Sequence, residues 1–369
     1  MIILGLDIGG ANTKAAIIEF IDGQIQKCYS YIEYFPFWEQ SINNIPLLFK
    51  RIISNIINKN DLELIDIDYI AIAITAELSD AFQTKREGIN KILDALKKVF
   101  NKEKMYFISI NNEFIKFNEA KRDYLLISAA NWVSTALFLG NYLQKCILID
   151  AGSTTIDIIP ILDSIPVSKG KSDIQRLINH ELIYTGGLRA TIPSITHFVP
   201  YKGKMVRISF EKFALISDVH RILNNITEKE YINDTADNRS KSLDDCYARI
   251  SRILCMDLET ISREELIKIA EYIYESQLNI IITEIKEFMN NLFIRIPLFQ
   301  KNPEFVITGL AAEFLIKKSL EKLGYSNISS YEKITKIPDK ISSSAFAVAG
   351  AFSFQMKGVL KNGNDLSDI

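Results

Sequence analysis

One plan is written into this chain twice, and it limits the folds open to it. An apolar run from Met1 to Leu6 feeds Asp7-Ile8-Gly9-Gly10-Ala11-Asn12-Thr13-Lys14, and a second apolar run, Ala15 to Ile18, follows. That pattern predicts a β-hairpin with its turn at Gly9 to Thr13. Ile147-Leu148-Ile149-Asp150-Ala151-Gly152-Ser153-Thr154-Thr155-Ile156-Asp157-Ile158-Ile159 repeats it as strand, aspartate, small-residue turn with hydroxyls, and strand. Glycine turns let a backbone approach an anion closely, and successive N–H groups form a concave nest for it. The expected phosphate contacts are Gly9, Gly10, Asn12 and Thr13 in the first turn, Gly152, Ser153 and Thr154 in the second, and Gly309 in a later strand–glycine–helix element. Lys14 offers a point charge to the same anion. Asp7 and Asp150 open the two turns and offer oxygens to a divalent cation, directly or through water. Asp157 reads equally as a further carboxylate of this set or as a strand residue facing solvent. A lone Gly-Gly hairpin also serves as a plain structural turn; the repetition is what points to chemistry.

Composition narrows the function classes. The 369 residues, 48% hydrophobic, leave room for two domains of ordinary size. A formal charge of −2 creates no field favouring nucleic acid or an acidic membrane surface, so small-molecule substrates are expected and neither of those partners is. Whether the chain forms a homo-oligomer is left open. Cys28, Cys146, Cys246 and Cys255 are scattered without a C-x-x-C pair, and His180, His197 and His220 lack zinc-site spacing. Reduced thiols in a cytoplasmic protein are the expectation, and no basic segment precedes the first apolar run as in a signal peptide. The uncharged stretch Tyr124 to Gln144 has the length of a membrane span. Its Ser128, Asn131, Ser134, Thr135, Gly140 and Asn141 argue instead for a buried strand, Tyr124 to Ser128, running into a buried helix from about Asn131 to Leu139.

Strands and helices alternate along the chain, which predicts an α/β class. A first lobe is expected over 1–144 and a second over 145–369, the final helix being free to return to the first. Within the first, Gln24 to Tyr34 makes a third strand after the turn signal Asp22-Gly23. Leu47 to Lys59 is an amphipathic helix, Asp68 to Ile74 a buried strand, Ile89 to Phe100 a helix led in by Lys85-Arg86-Glu87-Gly88, and Met105 to Ile110 a strand. Within the second, Asp173 to Asn179 is a short helix and Tyr184 to Arg189 a loop. Pro193 and Pro200 keep the next stretch extended. Helices follow at Phe213 to Leu223, Leu243 to Cys255 and Ser262 to Asn291, with a loop at Asn233 to Lys241. Phe305-Val306-Ile307-Thr308-Gly309-Leu310-Ala311-Ala312 runs strand to glycine turn to helix, and Ser342 to Met356 closes the chain as a small-residue helix.

Two such hairpins followed by a late strand–Gly309–helix element resemble the phosphate-1, phosphate-2 and adenosine motifs of the ATPase superfamily that includes actin, hexokinase and the heat-shock chaperones. The resemblance implies a two-lobed actin-like (ribonuclease H-like) fold, with the hairpins gripping a polyphosphate from opposite walls of a central cleft. The segments DIGGANTKAA, ITAELSDAFQTKREG, SAANWVSTA, LIDAGSTTIDIIPI, YTGGLRATI, ISDVHRIL, TADNRSK and VITGLAAEFL occur in that order. Together they resemble the hydantoinase/oxoprolinase-like family linked to one-carbon transfer on tetrahydromethanopterin and methanofuran, most nearly its archaeal methanofuran-biosynthesis branch. That likeness implies an alkyl transfer, in which the phenol oxygen of γ-glutamyltyramine displaces diphosphate from an aminomethylfuran-methyl diphosphate to form an aryl ether.

The residues can be weighed against that reaction. Nest N–H groups, Lys14 and a divalent cation, expected to be Mg2+, would stabilise the departing diphosphate; whether ATP binds is left open. A phenol, which ordinarily ionises near pH ~10, gains from a base at neutral pH. Glu77, after the buried strand, is the candidate, the alternative being that it caps a helix begun at Thr75 to Asp80. Lys85 and Arg86 are expected to meet substrate carboxylates or diphosphate oxygens, or else to be a solvated basic pair. Asn131 and Trp132 would line the site, with Trp132 stacking on a ring or filling the core. Thr185, Gly186 and Arg189 would form a loop closing over the phosphates. Asp218, Asp234 and Asp237 are acidic enough for a metal, although turn and capping roles are commoner for Asp in such places. Rival readings are an ATP-dependent small-molecule kinase of the same fold, a non-catalytic nucleotide-dependent module, and a hydantoinase-like hydrolase.

Overall fold

The computed structural model describes residues 1–21, 24–60, 62–338 and 343–364. The turn signal Asp22-Gly23 lies outside them. The chain divides into two compact units: Met1–Cys146 with Ile159–Asp173 and the segment from Tyr331 onward, and Ile147–Ile158 with Ile174–Ser330.

The first unit is built on a six-stranded sheet. Its spatial order is Gln24–Tyr34, Asn12–Ile21, Ile2–Ile8, Tyr69–Ile74, Met105–Ile108 and Phe114–Lys116. Ile2–Ile8 and Asn12–Ile21 form the antiparallel hairpin, with Asp7 opposite Lys14. Ile2–Ile8 also pairs in parallel with Tyr69–Ile74, so Ile8 and Ile74 end side by side. The near-continuous apolar sequence of these central strands reflects burial on both faces. One face is covered by Ile45–Asn58, whose Leu48, Phe49, Ile52, Ile53 and Ile56 enter the core at helical spacing. Beside it lies Lys85–Lys97, whose N-cap is Thr84: its Oγ1 accepts from the Glu87 N–H at 3.1 Å, and Glu87 Oε2 accepts from the Gln83 N–H at 3.0 Å. Against the strand Ile2–Ile8 lies the helix Ser343–Asn364, and Gly5 makes the approach possible. A Cβ there would sit 2.1 Å from the Ala345 carbonyl oxygen.

The second sheet repeats the plan of the first. Leu182–Ile183, Ile156–Leu162, Lys145–Ala151, Phe305–Thr308 and Ile328–Ser330 lie in that order, an antiparallel edge and hairpin followed by two parallel strands. An all-helical layer fills much of the second unit around Ile216–Ile222, Leu243–Arg252 and the 33-residue helix Arg263–Arg295. Ser262 caps the last by accepting from the Glu265 N–H, and Glu264 and Glu265 complement the helix dipole in its first turn. Among the described residues no helix is long and apolar enough to cross a membrane.

Several local expectations are corrected. Tyr124–Leu126 is a 3-10 turn rather than a strand, the Leu126 and Ile127 N–H groups donating to Asp123 O and Tyr124 O, while Leu126 O accepts from the Ile110 N–H and Ser128 bridges to Ile74. Lys85 and Arg86 form the first helical turn instead of leading into it. Phe114–Lys116 and Phe117–Arg122 are a strand and a helix that the sequence reading left unassigned. Pro193 sits in the first turn of the short helix Ile192–Ile195, where its missing N–H costs no helical hydrogen bond. The helix expected from Phe213 begins only at Ile216.

Candidate active site

The first hairpin gathers three polar groups in one buried spot. Asp7 is 5% exposed, and its Oδ2 accepts from the Ser344 hydroxyl at 2.5 Å. Ser344 Oγ accepts in turn from Lys14 Nζ at 3.3 Å, and Lys14 Nζ stands 3.8 Å from Asp7 Oδ2. The other carboxylate oxygen, Oδ1, is buried and has no hydrogen-bond partner among the described residues. A buried carboxylate lone pair left unmatched is costly unless something arrives to meet it. That oxygen suits a divalent cation, which needs one or two protein carboxylates when substrate phosphates supply further ligands. Thr13 Oγ1 is also buried and unpartnered. Among the described residues no group of three or more His, Cys, Asp or Glu forms a ready-made metal cage.

The turn itself is tied down from outside. The Phe35 and Phe37 N–H groups donate to the carbonyls of Ala11 and Gly10 at 2.8 and 3.0 Å, and the Gly9 N–H donates to Asn12 O at 3.1 Å. Gly9 is required by crowding, since a Cβ would stand 2.8 Å from Asn12 O. Gly10 is different: its φ is not positive, and among the described residues nothing lies within 4 Å of a Cβ built there. The protein's own backbone gives no reason for glycine at this position.

Glu77 follows the strand that pairs with Ile2–Ile8. The Thr75 N–H donates to Ile8 O at 2.8 Å, which brings this loop to the same sheet edge as the first turn. Glu77 is not a helix cap: the helix starts at Lys85, and Thr84 is its N-cap. It is 1% exposed, one carboxyl oxygen (Oε2) has no hydrogen-bond partner among the described residues, and Lys85 Nζ stands 3.8 Å from the other. Burial pushes its pKa up to about 7, with Lys85 pulling the other way. Gly88 makes the burial possible, for a Cβ there would lie 2.5 Å from Glu77 O. Lys85, expected to reach substrate, bridges Glu77 and Asp173, whose Oδ2 is 3.3 Å from Nζ. Arg86 is exposed and stacks over Tyr124, 5.0 Å from the ring centroid. Asn131 opens the helix Asn131–Gly140, its carbonyl accepting from Ser134 Oγ at 2.7 Å, and Trp132 is buried at 5% exposure.

In the second unit, the turn Gly152 to Thr155 closes with the Gly152 N–H on Thr155 O at 3.0 Å. The loop expected to close over a phosphate is instead fastened to this turn. The N–H groups of Gly186, Gly187, Leu188 and Arg189 donate to the carbonyls of Thr154, Gly152, Ser153 and Ser153 at 2.9–3.1 Å. A Cβ on Gly186 would strike Gly152 O at 2.7 Å, so this packing needs glycine. The loop's N–H groups thus occupy the turn's carbonyls at Gly152, Ser153 and Thr154. Gly152, like Gly10, has no positive φ and only one ordinary contact near a Cβ, Thr155 O at 3.7 Å. Gly309 has φ +92° and lies against Asp150, a Cβ being 2.8 Å from Asp150 Oδ1, so the late strand–turn–helix abuts the second hairpin's carboxylate. Thr185 is buried and faces inward to Gln277.

Of the remaining acidic candidates, Asp157, Asp218 and Asp237 are structural. Asp157 pairs at 2.6 Å with Arg176, itself 1% exposed, rather than facing solvent or joining a ligand set. Asp218 is fully buried and takes Arg249 at 2.8 Å and the Tyr231 hydroxyl at 2.9 Å. Asp237 takes Arg249 at 3.0 Å and Arg252 at 2.7 Å. These pairs bind the Thr235–Lys241 loop to the helices, and Asp234 is exposed. The sequence reading missed Ser344 and Asp173: the first is one serine in a small-residue run, the second a helix-start aspartate, and both acquire meaning only through contacts distant in sequence.

A central sheet entered by an Asp–small-turn hairpin, repeated in a second unit, defines an actin-like α/β ATPase-type fold. The chain belongs to the hydantoinase/oxoprolinase family, whose model matches residues 68–354. It is 38% identical over 357 residues, covering 96% of this chain and 99% of the relative, to the (4-{4-[2-(gamma-L-glutamylamino)ethyl]phenoxymethyl}furan-2-yl)methanamine synthase of Methanocaldococcus jannaschii. The Methanococcus vannielii protein of the same name is 37% identical over 184 residues, 50% of this chain and 78% of that one. Among solved structures, nucleotide-free acetone carboxylase aligns over 94% of this chain and 70% of its own, at 13% identity and a TM-score of 0.49.

Proposed function

We propose that this chain is a (4-{4-[2-(gamma-L-glutamylamino)ethyl]phenoxymethyl}furan-2-yl)methanamine synthase, a transferase of methanofuran biosynthesis. The near full-length similarity to the synthase supports the reaction, and the buried Glu77 with an unpartnered oxygen supports a way of performing it. The phenol oxygen of γ-glutamyltyramine attacks the furfuryl methylene. A new carbon–oxygen bond forms as the bond to diphosphate breaks, the phenol proton passes to Glu77, and diphosphate leaves as an anion. A carboxyl poised near pH 7 is matched to that proton transfer. Lys14, steadied by Ser344 and Asp7, meets charge that grows on the leaving group.

Gly10 and Gly152 are the positions where a bound phosphate explains the glycine and the protein's own packing does not. When bound, magnesium would neutralise diphosphate oxygens, and Asp7 Oδ1 in the first turn is the protein oxygen to hold it. Incubation with the furan diphosphate, γ-glutamyltyramine and magnesium should release diphosphate and yield the aryl-ether mass. ADP formed from ATP, with a phosphorylated substrate and no ether, would point to a kinase instead.

A further inference from the structure

The second turn is backed by a buried polar chain that none of the phosphate motifs contains. Gln277, in the middle of the helix Arg263–Arg295, is fully buried. Its Nε2 donates to Thr185 Oγ1 and to Gly186 O, both at 3.0 Å. Its Oε1 stands 3.0 Å from Nε2 of His220, also fully buried. On the far side of the ring, Asn225 Nδ2 lies 3.2 Å from His220 Nδ1.

Only one assignment of hydrogens satisfies all four contacts. An amide nitrogen can only donate, so Nδ1 of His220 accepts and the ring proton sits on Nε2. That proton claims Oε1 of Gln277 and thereby aims the amide nitrogen at the loop. Burial pushes the His220 pKa down to about 3, so the neutral ring persists across the working range. The ring is also wedged against Phe314, centroids 4.6 Å apart, while a Cβ on Gly187 would be 3.4 Å from the same phenylalanine. The 184–189 loop is thus held from beneath by Gln277 and from the side by Phe314, with the second turn's carbonyls bonded to its N–H groups.

We infer that Gln277, oriented by His220, is a positioning residue for diphosphate binding: it fixes the 184–189 loop and through it the shape of the Gly152–Thr155 turn. This rests on the reading of that turn as a phosphate contact. Gln277→Glu is the sharpest variant. It keeps the size and the acceptor for His220 but turns a carboxylate oxygen toward Thr185 Oγ1 and Gly186 O, where a donor stood. His220→Phe keeps the ring packed on Phe314 and removes the proton that aims the amide.

The experiment measures inorganic diphosphate affinity with magnesium by calorimetry, and KM for each substrate, on folded full-length protein. Both variants should weaken diphosphate and raise KM for the furan diphosphate roughly tenfold. KM for γ-glutamyltyramine should stay within about twofold. Gly152→Val in the turn itself is the reference. If it weakens diphosphate while the Gln277 and His220 variants do not, the positioning role is wrong and the phosphate reading survives. If Gly152→Val is also silent, both fall. A parallel rise in both KM values would mean general loosening and would overturn the inference. Should Gln277→Glu fail to fold, His220→Phe decides by the same criteria.

Discussion

In the first hairpin Asp7 lies across the ladder from Lys14, and Ser344 joins the two; in the second the residue standing where Lys14 would stand is Asp157, and it turns to Arg176. The first turn keeps a carboxylate oxygen without a partner. The second has its carbonyls stitched to the 184–189 loop and its Asp150 pressed against Gly309. One plan has therefore been put to two uses. The first hairpin carries a positive charge and an unsatisfied carboxylate beside the buried Glu77 loop. The second is a backbone cradle whose Asp157 is spent on the ion pair with Arg176. An internal duplication preserves strand order far more readily than side-chain roles, because strand order is fixed by apolar alternation and roles depend on single contacts.

That asymmetry predicts which substitutions strike chemistry and which strike stability. The largest effect is expected at Glu77→Gln, which keeps size but cannot take the phenol proton: turnover should fall by about 10²–10⁴-fold. Fluorinated tyramine rings, whose phenol is more acidic, should recover much of it. In the wild type kcat/KM should climb with pH toward a plateau above about 7, as the raised carboxyl ionises. The same shift has a stability sign. The folded state holds the Glu77 proton more tightly than the unfolded chain, so this contribution is present below the unfolded carboxyl range and is lost as pH rises through about 7. The melting temperature of Glu77→Gln should lack that decline.

Lys14→Ala should cost roughly 2–4 kcal/mol of transition-state stabilisation, read in kcat with magnesium saturating. It should also lower the melting temperature, since it leaves buried Asp7 with Ser344 alone. From its sequence position Lys14 reads as an exposed loop lysine of little structural weight; the structure puts it in a strand, tied to a buried carboxylate. Asp157→Asn, at the matching place in the second hairpin, should shift melting by a few degrees and leave kcat near wild type. Equal kinetic damage from Lys14→Ala and Asp157→Asn would break the comparison.

The smallest effect sharpens it. Asp173 holds Lys85 and raises the Glu77 pKa, so Asp173→Asn should free Lys85 for Glu77 and move the acid limb of the pH profile to lower pH. A limb that stays in place would detach Glu77 from the titration.

Much of this was legible in the residues. The hairpins, the alternation of strands and helices, the long helix and the late glycine turn are local patterns, and each stands within a few positions of its expected place. What was not legible depends on groups distant in sequence. Ser344 reaches Asp7 because Gly5 lets the last helix lie on the first strand. Asp218 and Asp237 look like ligands until Arg249 and Arg252 are seen beside them. The 184–189 loop looks like a lid until its N–H groups are traced to the turn. Tyr124 to Ser128 is strand-like in composition, yet Leu126 and Ile127 donate to Asp123 O and Tyr124 O and wind it into a 3-10 turn.

The most direct test follows one oxygen atom. With ¹⁸O in the phenol of γ-glutamyltyramine, attack on the furfuryl carbon predicts that the label is retained fully in the aryl ether and is absent from the released diphosphate. Label appearing in phosphate, with an unlabelled ether, would mean that the phenol is phosphorylated and then displaced, and the alkyl-transfer account would be wrong.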